Sequence, residues 1–221
     1  MKINEIFKSI SGEAAKAGFP VIFIRTYGCN LRCSYCDTMY AVEGGEYKEM
    51  TPKEILETCE NMNLKRVVFT GGEPLIQPDA AELVDLLCNN GYEVEIETNG
   101  AVSLPKFHQT LRTKNKYKLS YTMDYKGHSS LMTKKMIEEN LEFLLDKDVL
   151  KFVVGCSEDL MQVYETLKHY DIRAQVFISP VFGKIEPKEI VDFILTNSFL
   201  TDCRVQLQLH KLIWDVNQRG V

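Results

Sequence analysis

Short apolar runs closed by turn residues alternate along this chain with segments whose apolar side chains recur at helical spacing. The runs are VIFIRTY (21–27), RVVFT (66–70), EVEIE (93–97), KLSYTM (118–123), LKFVV (150–154), AQVFIS (174–179) and RVQLQL (204–209). Several are apolar almost throughout, as strands are when both faces of a sheet are covered. Between them, TPKE at 51–54 supplies a hydroxyl N-cap, Pro52 at the first helical position and Glu54 to close a capping box. The helix it opens carries Ile55, Leu56, Cys59 and Met62 on one face. Further helices are predicted over 79–90, 134–145 and 187–196, and from Glu158, where Leu160, Val163, Tyr164, Leu167 and Tyr170 fall at core spacing. Repeated strand–helix–strand units require right-handed crossovers and a parallel sheet that can curl towards a barrel. The expected fold is α/β: a partial, open (βα) barrel of about six parallel strands.

With 221 residues the chain suits one domain, 1–221. Lys and Arg total 26 against 31 Asp and Glu, a formal charge of -5, so generalised attraction to a phosphate backbone is absent and no nucleic-acid partner is expected. The opening MKINEIFKSISGE has no apolar core, and no stretch approaches the roughly 20 apolar residues of a membrane span. No membrane partner is expected, and the localisation read from these features is cytoplasmic. Of the 7 cysteines, Cys59, Cys88, Cys156 and Cys203 stand alone in apolar or periodic segments and read as small buried hydrophobes.

In sheets of this kind the chemistry collects at the carboxyl ends of the strands. GCNLRCSYCDT (28–38) follows the first run, TGGEP (70–74) ends the second, ETNG (97–100) the third, DYK (124–126) the fourth and SP (179–180) the sixth. These motifs should meet on one rim. Cys29, Cys33 and Cys36 put three soft thiolates on one loop. A closed zinc site needs four ligands, and no second CxxC or HxxxH pair exists. Three thiolates on a four-iron cluster instead leave one iron open to a small molecule.

CxxxCxxC with Tyr35 before the third cysteine, and the strand-ending GGEP at 71–74, resembles the radical S-adenosylmethionine superfamily. INEIFKSISGE followed by FPVIFIRTYGCNLRCSYCDT, then TGGEP, ETNG, MDYK, LHKLIW and RGV, resembles the 7-carboxy-7-deazaguanine synthase family of queuosine and deazapurine biosynthesis over nearly the whole chain. That family usually has glutamine and then GEG where this chain has Ser11, Gly12, Glu13 and Ala14. The resemblance implies conversion of 6-carboxy-5,6,7,8-tetrahydropterin to 7-carboxy-7-deazaguanine with loss of ammonia, after a 5'-deoxyadenosyl radical removes hydrogen from C6. It implies a [4Fe-4S] cluster on Cys29, Cys33 and Cys36, S-adenosylmethionine, and Mg2+ on Thr38. It places the cofactor at Tyr35, Cys36, Asp37, Gly71, Gly72, Glu73, Asn99, Asp124, Lys126 and Ser179. The substrate falls to Ile10, Ser11, Gly12, Glu13, Arg25, Thr70, Glu97, His210 and Val221, with Glu97, Arg25 and His210 catalytic. The chain ends become short substrate-binding extensions, and the partners implied are an electron donor such as flavodoxin or ferredoxin and a second copy of the chain.

Each of these residues also has a plainer reading. Thr38 by itself suits a turn hydroxyl. Arg25, inside an apolar strand, needs an anion, which the substrate carboxylate or an internal salt bridge could supply; it should share an inward face with Phe23 and Tyr27. Asn99 suits turn chemistry, Glu97 a polar strand end and His210 a packed histidine. Glu73 and nearby carbonyls can accept from an ammonium group, and the glycines let backbone approach a ligand. Two other functions share parts of the pattern: a glycyl-radical activase with the same cluster chemistry, and a non-catalytic iron-sulfur electron carrier, which needs no GGEP.

Overall fold

The computed structural model describes residues 1–216 and 218–221. Its strands are β1 (Lys2–Ile10), β2 (Pro20–Thr26), β3 (Lys48–Glu49), β4 (Arg66–Gly71), β5 (Glu93–Thr98), β6 (Leu119–Tyr125), β7 (Val149–Val154), β8 (Gln175–Pro180) and β9 (Arg204–Val205). They form one sheet in the order β3-β1-β2-β4-β5-β6-β7-β8-β9. From β2 through β4 to β9 every neighbour is parallel, while β1 runs antiparallel to both β2 and β3. The sheet is open. All seven runs predicted as strands are present; β1, whose KINEIFKSI lacks a continuous apolar run, was not anticipated.

The helices are α1 (Met39–Val42), α2 (Pro52–Glu60), α3 (Ala80–Asn89), α4 (Leu104–Thr110), α5 (Glu139–Phe143), α6 (Ser157–His169), α7 (Pro187–Thr196) and α8 (Leu209–Ile213). Each parallel crossover from β2 to β9 carries at least one of them. α2 starts as its sequence dictates: the Thr51 side chain accepts from the Glu54 N–H and Glu54 reaches back to the Thr51 N–H. Two expectations need correction. The helix expected at 134–145 is a 3-10 turn, Thr133–Lys135, followed by the short α5. Between them the Ile137 N–H bonds the Gly100 carbonyl, and Asn140 bonds the Gly100 and Val102 carbonyls and the Leu104 N–H; a continuous helix would forfeit these partners. The strand expected at 204–209 ends at Val205, because residues 206–209 turn to meet the amino-terminal loop.

That meeting spans the gap between the sheet's two ends. The Ala14 N–H donates to Gln206 Oε1 at 2.5 Å, Gln206 Nε2 donates to the Ala14 carbonyl at 3.1 Å, and the Leu209 N–H donates to the Gly12 carbonyl at 3.0 Å. Ala14 adopts φ +58° where the family pattern has glycine, and its methyl packs on Val149 and Phe177 inside the curl of the sheet. The left-handed backbone costs roughly 1–2 kcal/mol, and the buried methyl offsets about 0.8 kcal/mol of it.

The main core lies on the opposite, helix-covered face, where Ile24, Phe69, Ile96, Met123, Phe152 and Ile178 pack against Leu83, Leu87, Leu104, Leu141, Val163 and Ile190. Cys59 and Cys88 belong to this core, as expected. Cys156 and Cys203 are only half-buried, and the Cys156 sulfur lies 3.1 Å from the Ser129 hydroxyl.

Candidate active site

The concave face of the sheet opens at the strands' carboxyl ends into a cavity of about 700 Å3, a size that suits small-molecule sites. The cysteine loop forms one wall. It leaves β2 through Gly28, at φ +99°, and Cys29, Cys33 and Cys36 all face the cavity as free, half-buried thiols. Cys29 accepts from the Leu31 N–H at 3.3 Å and from Asn99 Nδ2 at 3.5 Å. Burial pushes the Cys29 and Cys33 thiols up, Cys33 to about 11, so bare thiolates are disfavoured until a cation joins them. Among the described residues no three His, Cys, Asp or Glu side chains close around a single ion. Three thiols facing one cavity without converging on one point fit a multi-iron cluster better than a tetrahedral zinc.

The GGEP segment packs closely against the chain itself. A Cβ on Gly71 would lie 2.3 Å from the Thr26 nitrogen, and one on Gly72 would lie 2.1 Å from the Gly28 carbonyl oxygen. The close approach these glycines permit is therefore to the chain's own backbone, sealed by Gly72 N–H to Thr26 O at 3.1 Å and Glu73 N–H to Gly28 O at 2.9 Å. Glu73 is fully buried and does not reach the cavity. Its carboxylate accepts from the Leu75 N–H, the Thr98 hydroxyl and the Asn99 N–H at 3.1, 2.9 and 2.7 Å. Burial pushes it up to about 7 against these three donors. Glu73 is a tie between the ends of β4 and β5; Gly71, Gly72 and Asn99 are what the cavity sees.

Opposite the cysteines, Lys126 Nζ pairs with Asp124 Oδ2 at 2.8 Å and sits 5.9 Å above the Tyr35 ring, whose hydroxyl donates to the Val153 carbonyl at 3.3 Å. Asp124 Oδ1 is buried on this wall with no hydrogen-bond partner, an acceptor suited to the hydroxyls or ammonium of a nucleoside-like cofactor. The Ser179 hydroxyl is also unpartnered, but it is wholly buried and off the cavity wall.

The remaining wall is charged. Arg25 Nε bonds Glu5 Oε1 at 2.7 Å, and the same oxygen accepts from the Tyr40 hydroxyl at 3.1 Å. The guanidinium thus has an internal anion on Nε, while among the described residues nothing pairs with its terminal nitrogens, and Arg25 still lines the cavity. Phe23 shares that face; Tyr27 does not, and stacks on Tyr47. Glu97 and Thr70 lie alongside. Burial and then the nearby Glu95 push the Glu97 carboxyl up to about 7, with the Thr70 hydroxyl opposing. Glu13 pairs with Lys151 and accepts from Gln208 Nε2 at 2.5 Å. His210 packs so closely on Gly12 that a Cβ there would lie 2.5 Å from Nδ1; burial lowers its pKa, which keeps the ring neutral. Ile10 and Val221 line the same wall, and Arg219 stacks 3.8 Å above the Tyr40 ring. Ser11 is turned away, with its hydroxyl on the Glu13 carbonyl at 3.0 Å. Thr38 lines the cavity beside Cys36, 3.8 Å from its sulfur. Asp37 is lowered: desolvation opposes its charge, but Lys211, 3.1 Å away, together with Lys151 and His210 more than offsets it.

The cavity therefore gathers Cys29, Cys33, Cys36, Tyr35, Asp37, Thr38, Gly71, Gly72, Asn99, Asp124, Lys126, Ile10, Gly12, Glu13, Arg25, Thr70, Glu97, His210 and Val221, and leaves out Ser11, Glu73 and Ser179. Sequence reasoning missed Glu5, Tyr40, Lys151, Gln208 and Lys211. Lys151 carried a signal: a charge inside an apolar run, the same signal that marked Arg25.

Comparison with known proteins agrees. The model of the Radical SAM superfamily matches residues 23–196. A 7-carboxy-7-deazaguanine synthase from Clostridium acetobutylicum is 46% identical over 100% of this chain and 99% of its own. One from Methanospirillum hungatei is 39% identical over 96% of this chain and 85% of its own. The crystal structure of QueE from Escherichia coli shares the fold with a TM-score of 0.74 at 24% identity, over 95% of this chain and 94% of that one. The activase and electron-carrier readings have no such support. The chain belongs to the radical S-adenosylmethionine superfamily and, within it, to the 7-carboxy-7-deazaguanine synthase family.

Proposed function

We propose that this chain converts 6-carboxy-5,6,7,8-tetrahydropterin to 7-carboxy-7-deazaguanine with loss of ammonia. The observation that carries the reading is the joining, in one cavity, of three free thiols with a charged wall built from both chain ends. Cys29, Cys33 and Cys36 hold the cluster, with Leu31 N–H and Asn99 Nδ2 donating to the Cys29 sulfur. Tyr35, Asp37, the Gly71–Gly72 edge, Asn99, Asp124 and Lys126 receive S-adenosylmethionine. A cluster held there would supply one-electron reduction to S-adenosylmethionine bound beside it.

The chain's own residues do the rest. The free edge of the Arg25 guanidinium takes the substrate carboxylate while Glu5 fixes its other edge, which holds the reacting carbon in place. Glu13 accepts from the N–H groups of the pterin ring. Glu97, near 7, can give or take a proton at its carboxyl at neutral pH as ammonia departs. His210 offers a neutral ring nitrogen. Thr38, on the wall with only a distant sulfur beside its hydroxyl, suits a hard cation, and we assign Mg2+ to it. The chain acts as one domain, 1–221, whose ends are the substrate-binding extensions. It works in the cytoplasm as a homodimer, reduced by a flavodoxin or ferredoxin; among the described residues no helix is long and apolar enough to cross a membrane.

The test is anaerobic incubation of reconstituted protein with S-adenosylmethionine, reductant and the carboxypterin, with and without Mg2+, followed by mass analysis. The expected product is 7-carboxy-7-deazaguanine, in higher yield with Mg2+. Cleavage of S-adenosylmethionine without conversion of the pterin overturns the substrate assignment.

A further inference from the structure

β7 is buried at every position, yet its third residue is a lysine, 8% exposed, whose side chain enters the cavity. Burial alone would strip Lys151 of its proton; Glu13 first, then Asp124 and Glu97, reverse that and keep it charged. The other cations of this region each face one carboxylate: Arg25 faces Glu5, Lys126 Asp124, Lys211 Asp37, and Lys16 reaches Glu95 at 3.9 Å. Lys151 faces Glu13. Glu97 has the Thr70 hydroxyl and the fields of Lys151 and Arg25 to offset its burial and the adjacent Glu95 and Glu13.

We propose that Lys151 is a positioning residue for the substrate: its ammonium fixes the Glu13 carboxylate from the cavity floor and supplies the positive charge that lets Glu13 and Glu97 face a pterin together. This rests on the pterin reading above. Lys151 forms an ion pair with Glu13 Oε2, which has no hydrogen-bond partner among the described residues, and Gln208 Nε2 hydrogen-bonds Oε1, so the carboxylate is held from β7 on one side and from the carboxyl-terminal segment on the other. Without that charge, Glu13, Glu95 and Glu97 confront one another across a site of low dielectric, where like charges disfavour ionisation. Glu13 then turns from its ring-facing orientation, and Glu97 holds its proton more tightly. Among the described residues no hydrogen bond or ion pair joins Glu13, Glu97 or Lys151 to the cysteine loop, whose Asp37 and Tyr35 feel the Lys151 charge without contact, so the larger effect falls on substrate binding.

The experiment compares wild type, Lys151→Met, Lys151→Arg and Glu13→Gln. Each is assayed for thermal melting, for substrate-independent S-adenosylmethionine cleavage under strong reductant, for kcat and KM with the carboxytetrahydropterin, and for binding of fluorescent 6-carboxypterin. Expected for Lys151→Met are a KM and an analogue dissociation constant raised about 30-fold, with a much smaller change in abortive cleavage. Lys151→Arg should recover most of that loss because it keeps the charge, and Glu13→Gln should share the KM defect. Wild-type analogue affinity in Lys151→Met overturns the proposal. Parallel loss of melting temperature and abortive cleavage, not recovered in Lys151→Arg, makes Lys151 a structural residue and overturns it too. A wild type that neither binds nor converts the pterin removes the substrate reading and this inference with it.

Discussion

On its helix-covered face the sheet presents Ile24, Phe69, Ile96, Met123 and Phe152, while the same strands offer Arg25, Thr70, Glu97, Asp124 and Lys151 to the concave side. Each pair is adjacent in sequence, so strand parity divides the labour. The apolar face stabilises by removing surface from water, about 1.5–3 kcal/mol for each large side chain. The concave face gains little, since ions taken from water are at best repaid by their partners. Its pairs, Arg25 with Glu5, Lys126 with Asp124 and Lys151 with Glu13, are kept for what they hold in place. Stability and chemistry should therefore respond to different substitutions.

Four experiments test that separation. The largest effect should come from Cys33→Ala, which is expected to lose the iron-sulfur chromophore and all S-adenosylmethionine cleavage while the apoprotein melts as wild type does; retained iron and activity would show that the cluster lies elsewhere. Leu83→Ala, on the helix side and fully buried, should cost about 3 kcal/mol in denaturant unfolding, with kcat/KM per folded molecule unchanged. A fall in that ratio would show that the two faces are coupled. Arg25→Ala should lower kcat/KM roughly 30-fold, corresponding to about 2 kcal/mol, and Arg25→Lys should recover little because a point charge lacks the fork. Abortive cleavage should persist in both. If it falls in step with product formation, Arg25 serves only to anchor Glu5 and Tyr40.

The smallest effect concerns pH. Glu97 is raised from 4.5 to about 7, so between those values the folded protein binds more protons than the unfolded chain. Stability from this group is fully present below about 4.5 and is lost as pH rises through about 7. Glu97→Gln should flatten the decline in melting temperature over that window, Glu73 continuing to contribute a decline of its own. An unchanged slope would mean that Glu97 is ionised in the folded protein throughout.

Much of this was legible in sequence because parity and periodicity are local properties. EVEIE alternates in plain view, TPKE dictates a capping box, and CxxxCxxC followed by GGEP marks the rim. What escaped was non-local. Nothing near Arg25 announces Glu5, which reaches it because β1 runs antiparallel to β2 and sets Glu5 opposite Arg25. Two of the donors that hold Glu73, the Thr98 hydroxyl and the Asn99 N–H, come from the end of another strand and could not be read beside it in sequence. Ser11 looked like a contact because its neighbours are, and only the loop's internal hydrogen bonds turn it away. Lys151 was hidden by reading LKFVV as uniformly apolar.

The seam where residues 12–14 meet residues 206–210 joins groups some 192 positions apart in the chain. Contacts of such separation carry a large loop-closure entropy and little apolar surface to repay it. This seam should then be the first part of the molecule to open and the last to set, with amide protons that exchange well before those of β4 to β7. Glu13 and His210 lie on it, so breathing at the seam would loosen one side of the cavity while leaving the cysteine loop and its neighbouring strands intact. A substrate could enter and a smaller, rearranged product could leave without unfolding anything that holds the cluster.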